Sequence, residues 1–396
     1  MNIGTLFRAK ASKIVFGGDA ISRVAGEVVF TPGLISGEEF VGRITRTSKD
    51  YARAEVVEIT RKSPERIQSI CSGAGRCPGC VYAHCSHAEE QRQKLRQLQD
   101  FLKPLGVAPE IVQGYKLEEA PGEYYRNKIR LTMRKAGGEA QLGYVFPDGR
   151  MYRIEQCCLA SKAINQKLSE LLPDKGFIAS LHDRMTVTFR ESEDGVILYR
   201  NTPGKNAPLL REKVLNRDFM LPQDGFFQVN KHGKDALIEL VADALKKSSC
   251  SYFIDAYAGS GLFGAVASAT GVPYVVGVEE NPSSAETARL NWQNFQCKKF
   301  DFHTGDAAVL LPEILNNAPA DAVAVFDPPR GGLDVKALRS LAQSPVRNLI
   351  YISCHPATLV RDLARLQKSS FTVDQARMID MFPRSAHFET FVQLTR

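Results

Sequence analysis

The chain has 396 residues, of which 44% are hydrophobic and 24% charged, and a formal net charge of +7. That length suits two or three domains, and the ordinary apolar share excludes a disordered or fibrous chain. No apolar run is long enough to cross a bilayer, and the opening MNIGTLFRAKASKIVFGG lacks the apolar core of a secretory signal, so a cytoplasmic monomer without membrane contact is expected.

Residues 1–62 read as all-β, with EVVF, FVGRIT and ARAEVVEIT separated by Gly and Ser turns. An OB-like barrel of about five short strands would fit and could bind an oligonucleotide. With ten basic and seven acidic residues the segment is mildly cationic, equally suited to a spacer. The nine cysteines are unevenly spread: Cys71, Cys77, Cys80 and Cys85 crowd together, and Cys157 and Cys158 are adjacent. An odd count in a reducing compartment points to metal or catalysis rather than disulfides. Three thiolates in CSGAGRCPGC suggest one metal centre, for which zinc with Cys85, His84 or His87 is the local solution.

A helix is expected over 88–103, from Leu95, Leu98, Phe101 and Leu102 at helical spacing before Pro104 and Gly106. From there to about 200, NKIRLTMR, AQLGYVF, RMTVTFR and GVILYR alternate as antiparallel strands around a helix near 163–172. Arg126, Lys128, Arg130 and Arg134 share one strand face, suited to phosphates or simply to solvent. Residues 63–225 are thus a central α+β domain, whose helix at 88–103 has the option of packing on the C-terminal domain.

Residues 226–396 alternate strand and helix, as βαβ units under a parallel sheet do. YFIDAYAGSGLFG runs a strand through Asp255 into Gly259, Gly261 and Gly264, glycines that let a ligand approach the backbone and a helix N-terminus. YVVGVEEN ends in Glu279, placed to accept both hydroxyls of a ribose. AVAVFDPPRGGL ends in Asp327-Pro328-Pro329, a rigid extended exit of the kind found beside the methyl donor in nucleobase methyltransferases.

YISCHPATLVRDL puts Cys354 at a strand end before a helix, where a depressed thiol pKa is expected. DMFPRSAHFETFVQL reads as a closing strand that starts at Glu389, with His387 on the same face. A thiolate adding to C6 of uracil makes C5 nucleophilic toward a sulfonium methyl, and a carboxylate must then take the C5 proton. Cys354 and Glu389 are the candidates for those roles; Arg361 and Asp362 are expected to fix the loop.

FFQVN, DAYAGSG, VEEN, DPPRGGL, SCHPATLVRDL and DMFPRSAHFE stand in the order seen in RNA uracil-C5 methyltransferases, which the chain resembles over essentially its whole length, and it is most similar to the 23S ribosomal RNA branch. The resemblance implies a Rossmann-like class I methyltransferase domain preceded by a TRAM-type barrel. It implies Cys354 as nucleophile and Glu389 as proton acceptor, with Gln228, Tyr257, Glu279, Asp327 and, more peripherally, Asp306 around S-adenosylmethionine. It further implies a [4Fe-4S] cluster on Cys71, Cys77, Cys80 and Cys157, with Cys158 the alternative fourth ligand and zinc the alternative metal. The chain departs from the family pattern at Ala258, Leu262, His355 and Ser385. The expected partner is RNA, 23S ribosomal RNA before transfer RNA, with the target uridine unpaired or flipped out. A non-catalytic RNA-binding protein, or methylation of cytosine or an exocyclic nitrogen, are the alternatives.

Overall fold

The structure is a computed structural model that describes all residues except 118–121, 137–138, 147 and 205–206. Among the described residues no helix is long and apolar enough to cross a membrane.

The N-terminal segment forms a six-stranded sheet with chain order one, five, six, four, three, two, from Leu6–Lys10 to Tyr51–Arg61. One more strand forms than the pattern predicts, because Lys13–Ile14 pairs briefly with Ala20–Val24. Phe7, Val29, Phe40 and Ile44 fill its core, together with Tyr82 and Cys85 from the cysteine-rich segment. Such a sheet alone would expose an apolar face; the cysteine segment is part of what covers it.

The helix His87–Leu102 begins at Ser86, whose side chain accepts from the Glu89 amide, and ends through a short turn at Gly106 with φ 71°. Its buried Leu98 and Leu102 share a core with the C-terminal sheet, and the strand Val112–Gly114 joins the edge of that sheet beside Thr372–Ile379. That edge strand was too short to leave a sequence period. A separate five-stranded antiparallel sheet comes next, in which Lys128–Ala136 sits centrally between Glu139–Val145 and Thr186–Ser192. Ile129, Leu131 and Met133 point into its core while Arg130 is exposed on the other face. The hairpin Leu210–Val214 with Arg217–Leu221 packs into the core of the C-terminal part beside the helix Lys231–Lys247.

The C-terminal sheet has eight strands. Four parallel ones, Phe300–Thr304, Tyr274–Glu279, Tyr252–Ala256 and Val323–Phe326, lead to Asn348–Ser353, and Glu389–Thr395 then inserts antiparallel before Thr372–Ile379. The single tryptophan, Trp292, is fully buried against this sheet. A Cβ at Gly264 would overlap its ring, and one at Gly277 would meet it at 2.5 Å. The third glycine of the G-x-G-x-x-G spacing therefore serves close packing of helix on sheet, and the Gly264 amide donates to Asp255 Oδ2 at 2.7 Å.

Candidate active site

Asp255, Glu279, Asp327 and Cys354 all lie at the carboxyl ends of parallel strands, the edge at which open α/β sheets bind ligands. At the first of these ends Tyr257 takes a left-handed backbone (φ 62°) and Gly259 has φ 55°. Nothing lies within 4 Å of a Cβ built on Gly259, so its backbone is open to a ligand. The Gly259 amide donates to Glu279 Oε2 at 2.9 Å and the Asn281 amide to Oε1 at 2.8 Å, which fixes the carboxylate plane and leaves its outer lone pairs free. Gln228, Tyr257, Gly259, Ser260 and Asp327 line one cavity with Phe226 and Phe227. Ser260 Oγ is buried there without a partner among the described residues. Asp306 is exposed and caps the helix Ala307–Asn316, accepting from the Ala308 amide at 2.8 Å. It stands near enough to Tyr257 for its charge to help burial raise the phenol pKa to about 12.

Cys354 and Glu389 are brought together by strand pairing. Ser353 pairs with Thr390 in the antiparallel ladder, so the next residue of one strand faces the preceding residue of the other. Glu389 is buried and Cys354 half-buried. Burial, and then the charges of Glu389 and Asp327, push the Cys354 thiol up to about 11, with Arg330 opposing. The depressed pKa expected from the adjoining helix is therefore not found in the free protein: desolvation and two carboxylates outweigh the helix terminus. His355 is the N-cap of that helix without a side-chain cap, and its backbone oxygen accepts from Thr358 Oγ1 at 3.0 Å.

Burial and the charge of Asp327 hold Glu389 well above the ordinary carboxylate range, and desolvation raises Asp327 to about 7. Two carboxyls in one poorly solvated space resist ionising together. Arg330, exposed at the end of the Asp-Pro-Pro turn, is the cation that favours ionisation of both Cys354 and Glu389. Sequence reading gave it no role, since nothing but its place after two prolines marks it.

His387 is neutral at pH 7: burial, then the positive charges of Arg330 and neighbouring groups, lower its pKa to about 4. Phe16, from the N-terminal sheet segment, packs edge-on against His355 at 5.5 Å and against His387 and Phe388 at 5.8 Å each. No periodicity flags Phe16, because it sits in a loop far away in the chain. Arg361 and Asp362 brace the floor of the site: Asp362 Oδ2 accepts from the Leu333 amide and the Tyr351 hydroxyl, both at 2.8 Å, and Arg361 Nη2 donates to Gly331 O at 2.8 Å.

Burial, then the sulfurs of Cys77, Cys157 and Cys71, push the Cys80 thiol up, which puts these four sulfurs in one neighbourhood. Cys158 is buried and shares a hydrogen bond with Cys71, while Cys157 Sγ accepts from the Tyr144 hydroxyl at 3.7 Å. Among the described residues, the trio of His, Cys, Asp or Glu ligand atoms found within 4.8 Å of one another is His87, Glu90 and Asp380, not three thiols.

Residues 314–396 match the family model described as tRNA (Uracil-5-)-methyltransferase. Over 96% of its length the chain is 24% identical to an uncharacterized RNA methyltransferase of Clostridium acetobutylicum, covering 94% of that protein. It is 25% identical over its whole length to another from Protochlamydia amoebophila, of which it covers 99%. In fold it is similar to the tRNA (uracil-54, C5)-methyltransferase of Pyrococcus abyssi, solved with S-adenosyl-L-homocysteine: the TM-score is 0.75, at 20% identity, over 98% of this chain and 99% of that one. Residues 314–396 thus match the RNA (uracil-5-)-methyltransferase model, and along nearly its whole length the chain is similar to proteins described as RNA methyltransferases.

Proposed function

We propose that the protein methylates C5 of a uridine in RNA, with 23S ribosomal RNA as substrate, through a covalent cysteine–C6 adduct. The observation that carries this reading is the strand register that sets Cys354 opposite the buried Glu389, next to the cavity of Gln228, Tyr257 and Asp327. The open Gly259 backbone and the anchored Glu279 carboxylate fit an adenosine, and the Asp327 end of the cavity fits a cationic sulfur. S-adenosylmethionine bound there supplies an electrophilic methyl group on a positively charged sulfur.

Cys354 gives its proton to solvent as Sγ bonds to C6, and the C5–C6 π pair moves onto the C5–C4–O4 unit as an enolate. The C5 pair then bonds to the donor's methyl carbon, and the methyl–sulfur pair stays on sulfur as a neutral thioether. Glu389 accepts the C5 proton; that bond's electrons form the new C5–C6 double bond, and the S–C6 pair returns to Cys354. Glu389 must be ionised for its step. A positive charge entering beside Asp327, with Arg330 already present, lowers the pKa of both carboxyls and of the thiol. In the free protein the thiol and both carboxyls are shifted away from their ionised forms. Reach to Cys354 demands a base out of its helix, and the exposed Arg130 with the half-exposed Arg126, Lys128 and Arg134 offers phosphate contacts.

The sulfurs of Cys71, Cys77, Cys80 and Cys157 suit a [4Fe-4S] cluster better than zinc. A tetrahedral zinc–thiolate site with 2.3 Å bonds needs sulfurs about 3.8 Å apart, whereas among the described residues no three thiols come within 4.8 Å of one another. The cluster would tie the cysteine segment to the strand–helix loop at 157; methyl transfer itself needs no electron. Cys158, buried against Cys71, is the alternative ligand.

RNA containing 5-fluorouridine is expected to give a protein–RNA adduct stable on a denaturing gel, because fluorine cannot leave C5 as a cation. Cys354→Ala should abolish it; an adduct that persists in that variant contradicts the assignment. Alkylation of Cys354 by iodoacetamide, followed by peptide mass spectrometry in the free protein, should accelerate with pH up to about 11. Glu389→Gln, which removes a neighbouring negative charge, should bring the midpoint down, and an unchanged midpoint would count against the shared site. Protein purified without oxygen should be brown and hold iron and acid-labile sulfide in equal amounts, lost in Cys80→Ser; stoichiometric zinc instead would refute the cluster.

A further inference from the structure

Glu389 is delivered to its strand end by the segment 380–388, and most of the polar anchors of that segment come from the N-terminal half of the chain. Lys94 Nζ donates to Asp380 Oδ1 at 2.7 Å, to Phe382 O at 3.1 Å and to Glu90 Oε1 at 2.7 Å. His87 Nε2 lies 3.1 Å from Asp380 Oδ2, and the Tyr125 hydroxyl donates to Pro383 O at 3.0 Å. From the catalytic part, Asn230 Nδ2 donates to Met381 O at 3.2 Å.

Arg384 is the hub of this arrangement. Its backbone is left-handed, with φ 66°, and its side chain is only 8% exposed. A non-glycine residue keeps that conformation where its surroundings over-determine it. They do so here from three directions. The Arg384 amide donates to Glu90 Oε1 at 2.6 Å. The guanidinium donates to Cys85 O at 2.8 Å through Nη1 and to Glu123 Oε1 at 2.8 Å through Nη2. The Arg384 carbonyl accepts from the amides of Val81 at 2.8 Å and Tyr82 at 3.1 Å, the residues directly after Cys80.

We propose that Arg384 is a positioning residue for the proton acceptor, clamping the segment that carries Glu389 to the cysteine-bearing segment 80–85. This rests on the reading of Glu389 as the C5 base. By this route the cysteine site, which touches no reacting atom, sets the geometry of the last chemical step. Nucleophilic addition and methyl transfer use Cys354 and the donor cavity, which the clamp does not hold, so loosening it selectively slows proton removal.

The selectivity is measurable. A protein able to add and methylate but unable to take the C5 proton accumulates a methylated covalent adduct on ordinary uridine. The test compares Glu389→Gln, Arg384→Met and Glu123→Gln on a 23S ribosomal RNA transcript with tritiated S-adenosylmethionine. Turnover and the denaturation-resistant labelled adduct are followed together. Arg384→Met is expected to lower kcat about 100-fold, the scale of a misplaced catalytic group, with KM for RNA within about threefold and adduct accumulating as in Glu389→Gln. Glu123→Gln, which cuts the clamp on its half-exposed side and spares the Glu90–Lys94–Asp380 cluster, should show the same pattern more weakly, by about tenfold. It stands in for Arg384→Met if that variant does not fold. Turnover at the parent level, or adduct and turnover lost in equal proportion in the folded variant, overturns the proposal. If Glu389→Gln itself accumulates no adduct, the base assignment fails instead, independently of what Arg384 does.

Discussion

Everything at this site depends on two ionisable side chains facing each other across adjacent strand ends where water is scarce. The antiparallel insertion of Glu389–Thr395 beside Asn348–Ser353 creates that juxtaposition, since a parallel neighbour in this sheet would have brought its amino end to the opposite edge. A carboxylate there is costly, and a second one at Asp327 makes it more so, which is why Glu389 is pushed well above the ordinary carboxylate range and the Cys354 thiol up to about 11. The same low dielectric that suppresses ionisation makes a single added positive charge effective. On the proposed reading, the chemistry is thereby tied to occupancy: a cation and a base entering together would make thiol and carboxylate reactive.

The remainder of the chain holds this crossing in place. Trp292 packs against glycines that admit no Cβ and so fixes the helix whose first turn borders the donor cavity. Asp362, buried and bonded to Tyr351 and the Leu333 amide, ties the helix after Cys354 to the loop after Asp327. From the far side, Phe16 reaches His355 and His387, the histidines beside Cys354 and Glu389. The N-terminal sheet is in this way part of the wall of the site as well as a candidate surface for RNA.

Where each residue type carried its own signal, the sequence was legible. Strand ends in Asp255, Glu279, Asp327 and Cys354 come after an apolar run and break it with Gly or Pro, so their common edge could be read directly. Glu389 could be placed only through the chemistry that a base requires, because a single Glu in an alternating strand has no periodic mark. The strand Val112–Gly114, three residues long, the Phe16 contact and the Arg384 clamp join parts of the chain remote in sequence, and no local pattern encodes such pairings. The thiol pKa was misjudged because helix position is local and visible, whereas the opposing carboxylates arrive through tertiary structure.

The most direct measurement of the central claim is the fate of the hydrogen at C5. With RNA carrying tritium at C5 of uridine, one tritium should be released to water for each methyl group transferred, and Glu389→Gln should suppress release while methyl label becomes bound to protein. Methyl transfer with the tritium retained would mean that the methyl goes elsewhere on the base, and the pairing of Cys354 with Glu389 would then have no part in the reaction.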